Sequence, residues 1–148
     1  MLNEDWIFSD EARQLLVQVD FQLENGNSLI QVIKQLRKSF SLEQASLLMD
    51  LHALRIRGQK KFTRSRELFY QRKQLEQATS EIVGRYKAKR FLGFERVGDL
   101  CCGIGGDAIA LAEVADLEIV DASALILKMA EKNVAAYGYR CTASCLPA

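Results

Sequence analysis

One stretch of the sequence, residues 97–121, limits what this chain can fold into. It begins with the short apolar segment Val97–Leu100 and continues through a turn that reads Cys-Cys-Gly-Ile-Gly-Gly. An alanine-rich segment, residues 107–114, follows, and a second apolar segment, Leu117–Val120, ends at Asp121. Glycine lets the backbone turn sharply between a strand and a helix. Two strands joined by a helix within about 30 residues form a parallel βαβ unit, so this stretch predicts an α/β fold.

The sequence after Asp121 extends this pattern. Ser123 is a suitable N-cap for a helix that would end near Gly138, and residues 140–146 favour a third strand. We therefore predict that residues 91–148 form the first β-α-β-α-β part of a Rossmann-like sheet.

The first ninety residues predict a separate helical domain, residues 1–90. Ser9, Ser28 and Ser41 each precede a segment with helical spacing of apolar residues, and Ser41 is followed by Gln44 in a capping-box pattern. A fourth helix is predicted from about Lys73 to Arg90. Its inward positions are predicted to be Leu75, Ala78, Ile82, Val83 and Tyr86.

The glycine-rich turn is a candidate ligand site. Its bare backbone and the N-terminus of the following helix favour a nucleotide-like ligand, and Asp121 could accept both hydroxyls of a ribose. Gly103, Gly105 and Ala108 match the Gly-x-Gly-x-x-Ala spacing of dinucleotide-binding folds, but Asp99 interrupts the apolar strand before the first glycine. The other alternative is a structural turn that binds no ligand, although such a turn would not require acids at both Asp99 and Asp121.

The pattern Asp-x-x-x-Gly-x-Gly-Gly that starts at Asp99 resembles motif I of the class I S-adenosylmethionine-dependent methyltransferases. Residues 121–138, with their Ala-x-x-Asn-x-x-x-x-Gly close, also look like that family's next helix. The resemblance implies that the acid at Asp99 helps place the methionine part of S-adenosylmethionine and that Asp121 binds the ribose. The positions that it assigns to cofactor binding are Asp99, Cys101, Gly103, Gly105, Gly106, Asp121 and Ala122.

Within the family, the turn is similar to that of bacterial methyltransferases with a THUMP-like domain and of the RNA guanine-N2 (trimethylguanosine) group. Residues 75–91 resemble the helix before motif I in the THUMP-like group. Both resemblances imply an RNA substrate. The Asp/Asn-Pro-Pro-aromatic motif of base methyltransferases is absent, because the only proline is Pro147. The sequence therefore resembles the N-terminal part of a longer enzyme, and no catalytic residue can be assigned in it.

The charge distribution suggests where RNA would bind. The net charge is only +1, but basic residues are concentrated between Arg55 and Arg66, and such a segment could contact phosphates. A solvated surface is the alternative. Two other functions stay open: a non-catalytic module that binds nucleic acid or protein, and an NAD-type oxidoreductase.

The four cysteines predict neither a disulfide framework nor a zinc site, since Cys101 and Cys102 are adjacent and no histidine lies near Cys141 and Cys145. We interpret Cys101 and Cys102 as small residues that line the turn. The alternative is a thiol whose pKa is lowered by the nearby helix N-terminus. The sequence shows no signal peptide and no membrane-length apolar run, so we expect a cytoplasmic protein without bound metal.

Overall fold

The computed structural model describes residues 4–146, and contacts divide the chain into two compact units, Met1–Ala53 and Leu54–Ala148. This division by packing lies well before residue 90, where the sequence predicts the end of a helical domain. The reason is that the two short helices before residue 90 belong to the same compact unit as the sheet. The domain boundary predicted from the sequence stays a prediction.

The first unit is helical, as predicted. Its helices are α1 (Asp10–Glu24), α2 (Leu29–Leu36) and the first part of α3 (Leu42–Gly58). The Ser9 hydroxyl accepts a hydrogen bond from the Ala12 amide over 3.1 Å, which confirms the predicted cap. Capping boxes precede α2 and α3, because Gln31 and Gln44 each exchange two hydrogen bonds with the serine at the cap.

The second unit contains a sheet of three parallel strands in the order β1-β2-β3. The strands are β1 (Arg96–Leu100), β2 (Asp116–Asp121) and β3 (Cys141–Cys145). Asp99 lies beside Ile119, which lies beside Ala143. This order and register confirm the predicted β-α-β-α-β part of a Rossmann-like fold.

Two helices, α6 (Gly106–Leu111) and α7 (Ala124–Ala136), connect the strands and pack against the sheet. Side chains alternate along a strand, and Leu117 and Ile119 on the face toward the helices are buried. Leu100 belongs to the opposite face and is 73% exposed. Within the described residues, helices therefore cover one face of the sheet.

The helix predicted from Lys73 to Arg90 is instead two helices, α4 (Arg72–Gln77) and α5 (Glu81–Ala88). Ala78 is extended (φ −63°, ψ 137°), and the Lys61 ammonium donates to the carbonyls of Leu75, Glu76 and Ala78 over 2.8–2.9 Å. A lysine that satisfies the free carbonyls of a helix end stabilises that end. The break is therefore built into the fold.

The inward face predicted for this region is wrong for α5. Ile82, Val83 and Tyr86 are 83%, 48% and 66% exposed, whereas Glu81 and Gly84 are buried. A Cβ atom at Gly84 would lie 3.1 Å from the carbonyl oxygen of Gly106, so α5 packs on α6 through a small residue. Because α5 approaches α6 through Gly84, its large apolar side chains point to solvent.

Two buried polar side chains join distant parts of the second unit. The Asn133 amide on α7 accepts from the Phe69 amide and donates to the carbonyls of Phe69 and Ile104 over 2.7–3.0 Å. The Glu81 carboxylate accepts from the Thr63 amide and hydroxyl and from the Tyr137 hydroxyl, each over 2.8 Å. These hydrogen bonds hold the segment before β1 against the sheet.

No helix within residues 4–146 is long and apolar enough to cross a membrane.

Candidate ligand-binding site

The turn after β1 has an unusual backbone. Cys101, Gly103 and Gly105 all have positive φ, at 61°, 55° and 86°. This region costs little for glycine but is strained for other residues. The Cys102 amide donates to the Val120 carbonyl and the Gly105 amide donates to the Cys102 carbonyl, each over 3.0 Å. The turn is therefore bound to the end of β2, and α6 begins directly after it.

Asp121 joins this turn to the loop that follows β2. One carboxylate oxygen accepts from the Gly103 amide over 3.1 Å, and the other accepts from the Ser123 amide over 3.0 Å. Each carboxylate oxygen has a second lone pair, so the group can accept further hydrogen bonds. Ala122, the next residue, is exposed.

Asp99 carries an unsatisfied acceptor. Its Oδ2 atom is buried, and no group in the described part of the chain forms a hydrogen bond with it. Burial, followed by repulsion from Asp107 and Asp121, raises the pKa of Asp99 to about 6, while the Lys87 ammonium opposes this rise. Buried carboxylate oxygens normally have a donor. Asp99 is therefore suited to a ligand that brings a positive charge or an N–H group.

Asp107, at the start of α6, binds the segment before β1. The Lys87 ammonium lies 2.9 Å from both of its carboxylate oxygens, and the Thr79 hydroxyl donates to Oδ2 over 2.8 Å. A Cβ atom at Gly106 would lie 2.6 Å from the Thr79 carbonyl oxygen. Thr79 therefore packs directly on the N-terminus of α6, and Gly106 is required for this contact.

A pocket of about 170 Å³ lies between the α4–α5 segment and the glycine-rich turn. The turn contributes Cys101–Ile104 and Gly106, and Asp107 follows. The other wall is made by Gln74, Gln77, Ala78 and Thr79. This second wall was not predicted from the sequence. The only local signal was the spacing of Gln74 and Gln77, which places two amides on one side of a helix.

The residues predicted to bind a cofactor fall into three groups. Cys101, Gly103 and Gly106 line the pocket, and Asp121 is bonded to Gly103. Asp99 lies close enough to Asp107 and Asp121 for their charges to affect its pKa. Gly105 is buried against Ala130 on α7, and Ala122 is exposed in the loop that follows β2. Their roles in binding stay predictions.

The cysteines of the turn differ from each other. Cys102 is buried, and burial, with the Asp99 and Asp121 carboxylates, raises the pKa of its thiol to about 12. The alternative of a lowered thiol pKa is therefore wrong for Cys102. The reason is that two carboxylates and an apolar environment outweigh the nearby helix N-terminus. Cys101 is exposed.

The basic segment predicted to contact RNA has several of its charges engaged within the fold. Arg55 is buried and donates to the Leu68 carbonyl over 2.9 Å. Lys61 binds the end of α4, as described above. Arg64 forms two hydrogen bonds with Glu67 over 2.7–2.8 Å. RNA binding by this segment stays a prediction, and these three side chains have structural partners already.

Comparison with known proteins finds a similar fold among solved structures. No protein-family model matches the chain, and no curated protein matches it. Among solved structures, the chain is similar to "Crystal structure of putative methyltransferase from Porphyromonas gingivalis W83", with a TM-score of 0.70 and 20% sequence identity. The match covers 91% of this chain and 35% of that chain. The chain therefore shares a fold with about a third of that protein's length.

Proposed function

We propose that this chain is the cofactor-binding part of an S-adenosylmethionine-dependent methyltransferase. The observation that carries the proposal is the buried, unpartnered Oδ2 atom of Asp99, placed before a glycine-rich turn whose Gly103 is bonded to Asp121. The fold likeness to the Porphyromonas gingivalis protein, together with the motif resemblance, supports the same conclusion.

The residues of the site fit this cofactor. Asp99 can accept a hydrogen bond from an ammonium group, which would satisfy its orphaned oxygen. Asp121 retains lone pairs for two ribose hydroxyls, and the turn at Gly103 exposes backbone without a side chain. The cofactor supplies a methyl group on a sulfonium. The part played by this chain is to hold and orient it, since positioning lowers the barrier to an in-line displacement.

An NAD-type oxidoreductase fits this site less well. Dinucleotide-binding turns present glycine amides to a pyrophosphate. Here the Gly103 amide is bonded to Asp121, and the carboxylates of Asp99, Asp107 and Asp121 lie near the turn. Lys87 neutralises Asp107, but a dianionic pyrophosphate would be repelled by Asp99 and Asp121, whereas a ligand with an ammonium group would be attracted.

The finer proposal is that the substrate is RNA and that the enzyme acts in the cytoplasm. The RNA substrate is supported by the resemblance to RNA methyltransferases and by exposed basic residues such as Lys60. Fluorescence anisotropy with labelled RNA at two salt concentrations tests this part, because phosphate contacts weaken steeply as salt rises.

Calorimetric titration of S-adenosylhomocysteine into the chain tests the main proposal. We expect saturable binding that Asp121→Ala weakens about tenfold or more, since hydrogen bonds to charged groups contribute about 1.5–3 kcal/mol. Asp116→Ala is the matched control, because Asp116 is an exposed carboxylate at the opposite end of the same strand.

Circular dichroism of each variant shows whether the fold is kept. Binding of NAD in place of S-adenosylhomocysteine would instead establish the oxidoreductase. Binding of neither nucleoside ligand, with RNA or protein bound, would favour the non-catalytic module.

A further inference from the structure

Two side-chain amides in the pocket have no structural task in this fold. Gln74 and Gln77 both line the pocket, and across residues 4–146 no protein group forms a hydrogen bond with either side chain. Gln74 is half-buried and Gln77 is exposed. Polar groups at a pocket wall that lack protein partners are available to a ligand.

Gln74 faces the glycine-rich turn directly. A Cβ atom at Gly103 would lie 3.2 Å from the Oε1 atom of Gln74, and no other heavy atom outside the neighbouring residues lies within 4 Å of that position. The amide and the bare backbone at Gly103 therefore border the same volume. Their separation is maintained because Thr79 packs on Gly106 and donates to Asp107.

The charges around the pocket restrict which group the amides can bind. The Asp107 carboxylate, which lines the pocket, is neutralised by Lys87 over 2.9 Å. The two glutamine amides together offer four N–H donors without a charge, and a half-turn of the Gln74 amide brings its NH2 group to the position that Oε1 occupies beside Gly103. A carboxylate could be held by these donors, whereas an ammonium would be held by the unsatisfied Asp99. One chemical group that carries both charges is the end of an α-amino acid.

We propose that Gln74, with Gln77, binds the carboxylate of the amino-acid end of the cofactor and so selects a nucleoside that carries this end. The proposal rests on the proposed function and adds a wall of the site that precedes β1. It assigns a ligand contact to α4, outside the glycine-rich turn and the strand ends.

The test compares two ligands that differ in this end. S-adenosylhomocysteine carries the amino acid, and 5′-methylthioadenosine keeps the thioether nucleoside without it. Calorimetry measures both ligands with the unmodified chain, with Gln74→Ala and with Gln77→Ala. Gln71→Ala is the matched control, because Gln71 is an exposed glutamine that adjoins α4 and lies outside the pocket lining.

We expect Gln74→Ala to weaken S-adenosylhomocysteine about tenfold, which corresponds to about 1.4 kcal/mol, and Gln77→Ala to weaken it less. Both variants should leave the affinity for 5′-methylthioadenosine within about twofold, and Gln71→Ala should change neither. Equal losses for the two ligands, or no loss with Gln74→Ala, would overturn this inference and leave the proposed function standing. If the unmodified chain binds neither ligand, the proposed function fails and the inference fails with it.

Discussion

Asp99 is a residue of the candidate site whose negative charge lowers the stability of the folded chain. Its carboxylate is half-buried, has no donor for the buried Oδ2 atom and is repelled by Asp107 and Asp121, so its pKa is raised to about 6. The folded chain therefore binds this proton more tightly than the unfolded chain does. The stabilisation from protonated Asp99 is complete below the pKa of an ordinary aspartate and is lost as the pH rises through about 6.

The first prediction follows from this dependence of stability on pH. Asp99→Asn removes the charge and keeps the shape, so we expect the variant to gain stability over the unmodified chain as the pH is raised from about 5 to 7.5. Urea unfolding followed by circular dichroism at both pH values measures the difference. The comparison between the two proteins cancels the titration of other groups. A stability difference that stays constant over this range would show that Asp99 titrates normally.

Ligand binding depends on the same proton. An ammonium group is attracted to ionised Asp99 and not to the neutral acid, so the affinity for S-adenosylhomocysteine should fall as the pH drops below about 6. Calorimetry at several pH values measures this, and Asp99→Asn should bind more weakly at neutral pH without that dependence. An unchanged affinity between pH 5 and 7.5 in the unmodified chain would contradict a contact between Asp99 and the ligand's ammonium group.

Some residues of the site were predictable from the sequence and others were not. Asp99 and Asp121 stand near the ends of neighbouring parallel strands, and strand ends meet at one edge of a sheet. Their proximity therefore follows from local patterns. The position of Gln74 depends on how a distant helix packs on the turn. No local sequence pattern predicts that packing, so the pocket wall that contains Gln74 was not predicted.

Among the helices, packing between distant segments also explains why one continuous helix was wrongly predicted where the structure has α4 and α5. Ala78, Ile82 and Val83 fit one helical face, so periodicity favours a continuous helix with that face inward. Two tertiary interactions outweigh this preference. Lys61 binds the carbonyls at the end of α4, and Gly84 allows α5 to approach α6 closely. Helices with local caps, such as α1 after Ser9, were predicted correctly because their signals are local.

The contact between the α4–α5 segment and α6 gives a prediction of its own. In Gly106→Ala the new methyl group would lie 2.6 Å from the Thr79 carbonyl oxygen, which is a backbone atom that cannot move freely. We expect a loss of about 1–3 kcal/mol in the free energy of unfolding, as for other overpacked sites. Urea unfolding measures it.

Gly98→Ala is the matched control for that substitution. Gly98 lies on the exposed face of β1, and a Cβ atom there would meet nothing within 4 Å. This variant should be as stable as the unmodified chain or slightly more stable. Equal stability of the two alanine variants would show that Thr79 does not pack on α6 as described.

The sheet of the second unit exposes an open strand edge and an apolar side chain, which parallel sheets rarely do. In the described residues β1 pairs only with β2, so one of its edges is open, and Leu100 on its uncovered face is 73% exposed. Leu92 and Phe94, just before β1, are 64% and 61% exposed. Parallel sheets usually bury both faces, and an open apolar edge favours pairing with another chain.

We therefore expect the 148-residue chain, produced alone, to self-associate through β1. Sedimentation velocity over a range of concentrations should show a rising fraction of dimers or larger species. Leu100→Lys should reduce this fraction, because a charged side chain on an edge strand opposes pairing and the site is too exposed for the change to cost packing. Leu29→Lys, an exposed leucine on α2 in the first unit, is the control and should have little effect. A chain that stays monomeric at every concentration and unfolds in one cooperative transition would show that the open edge is protected within these residues.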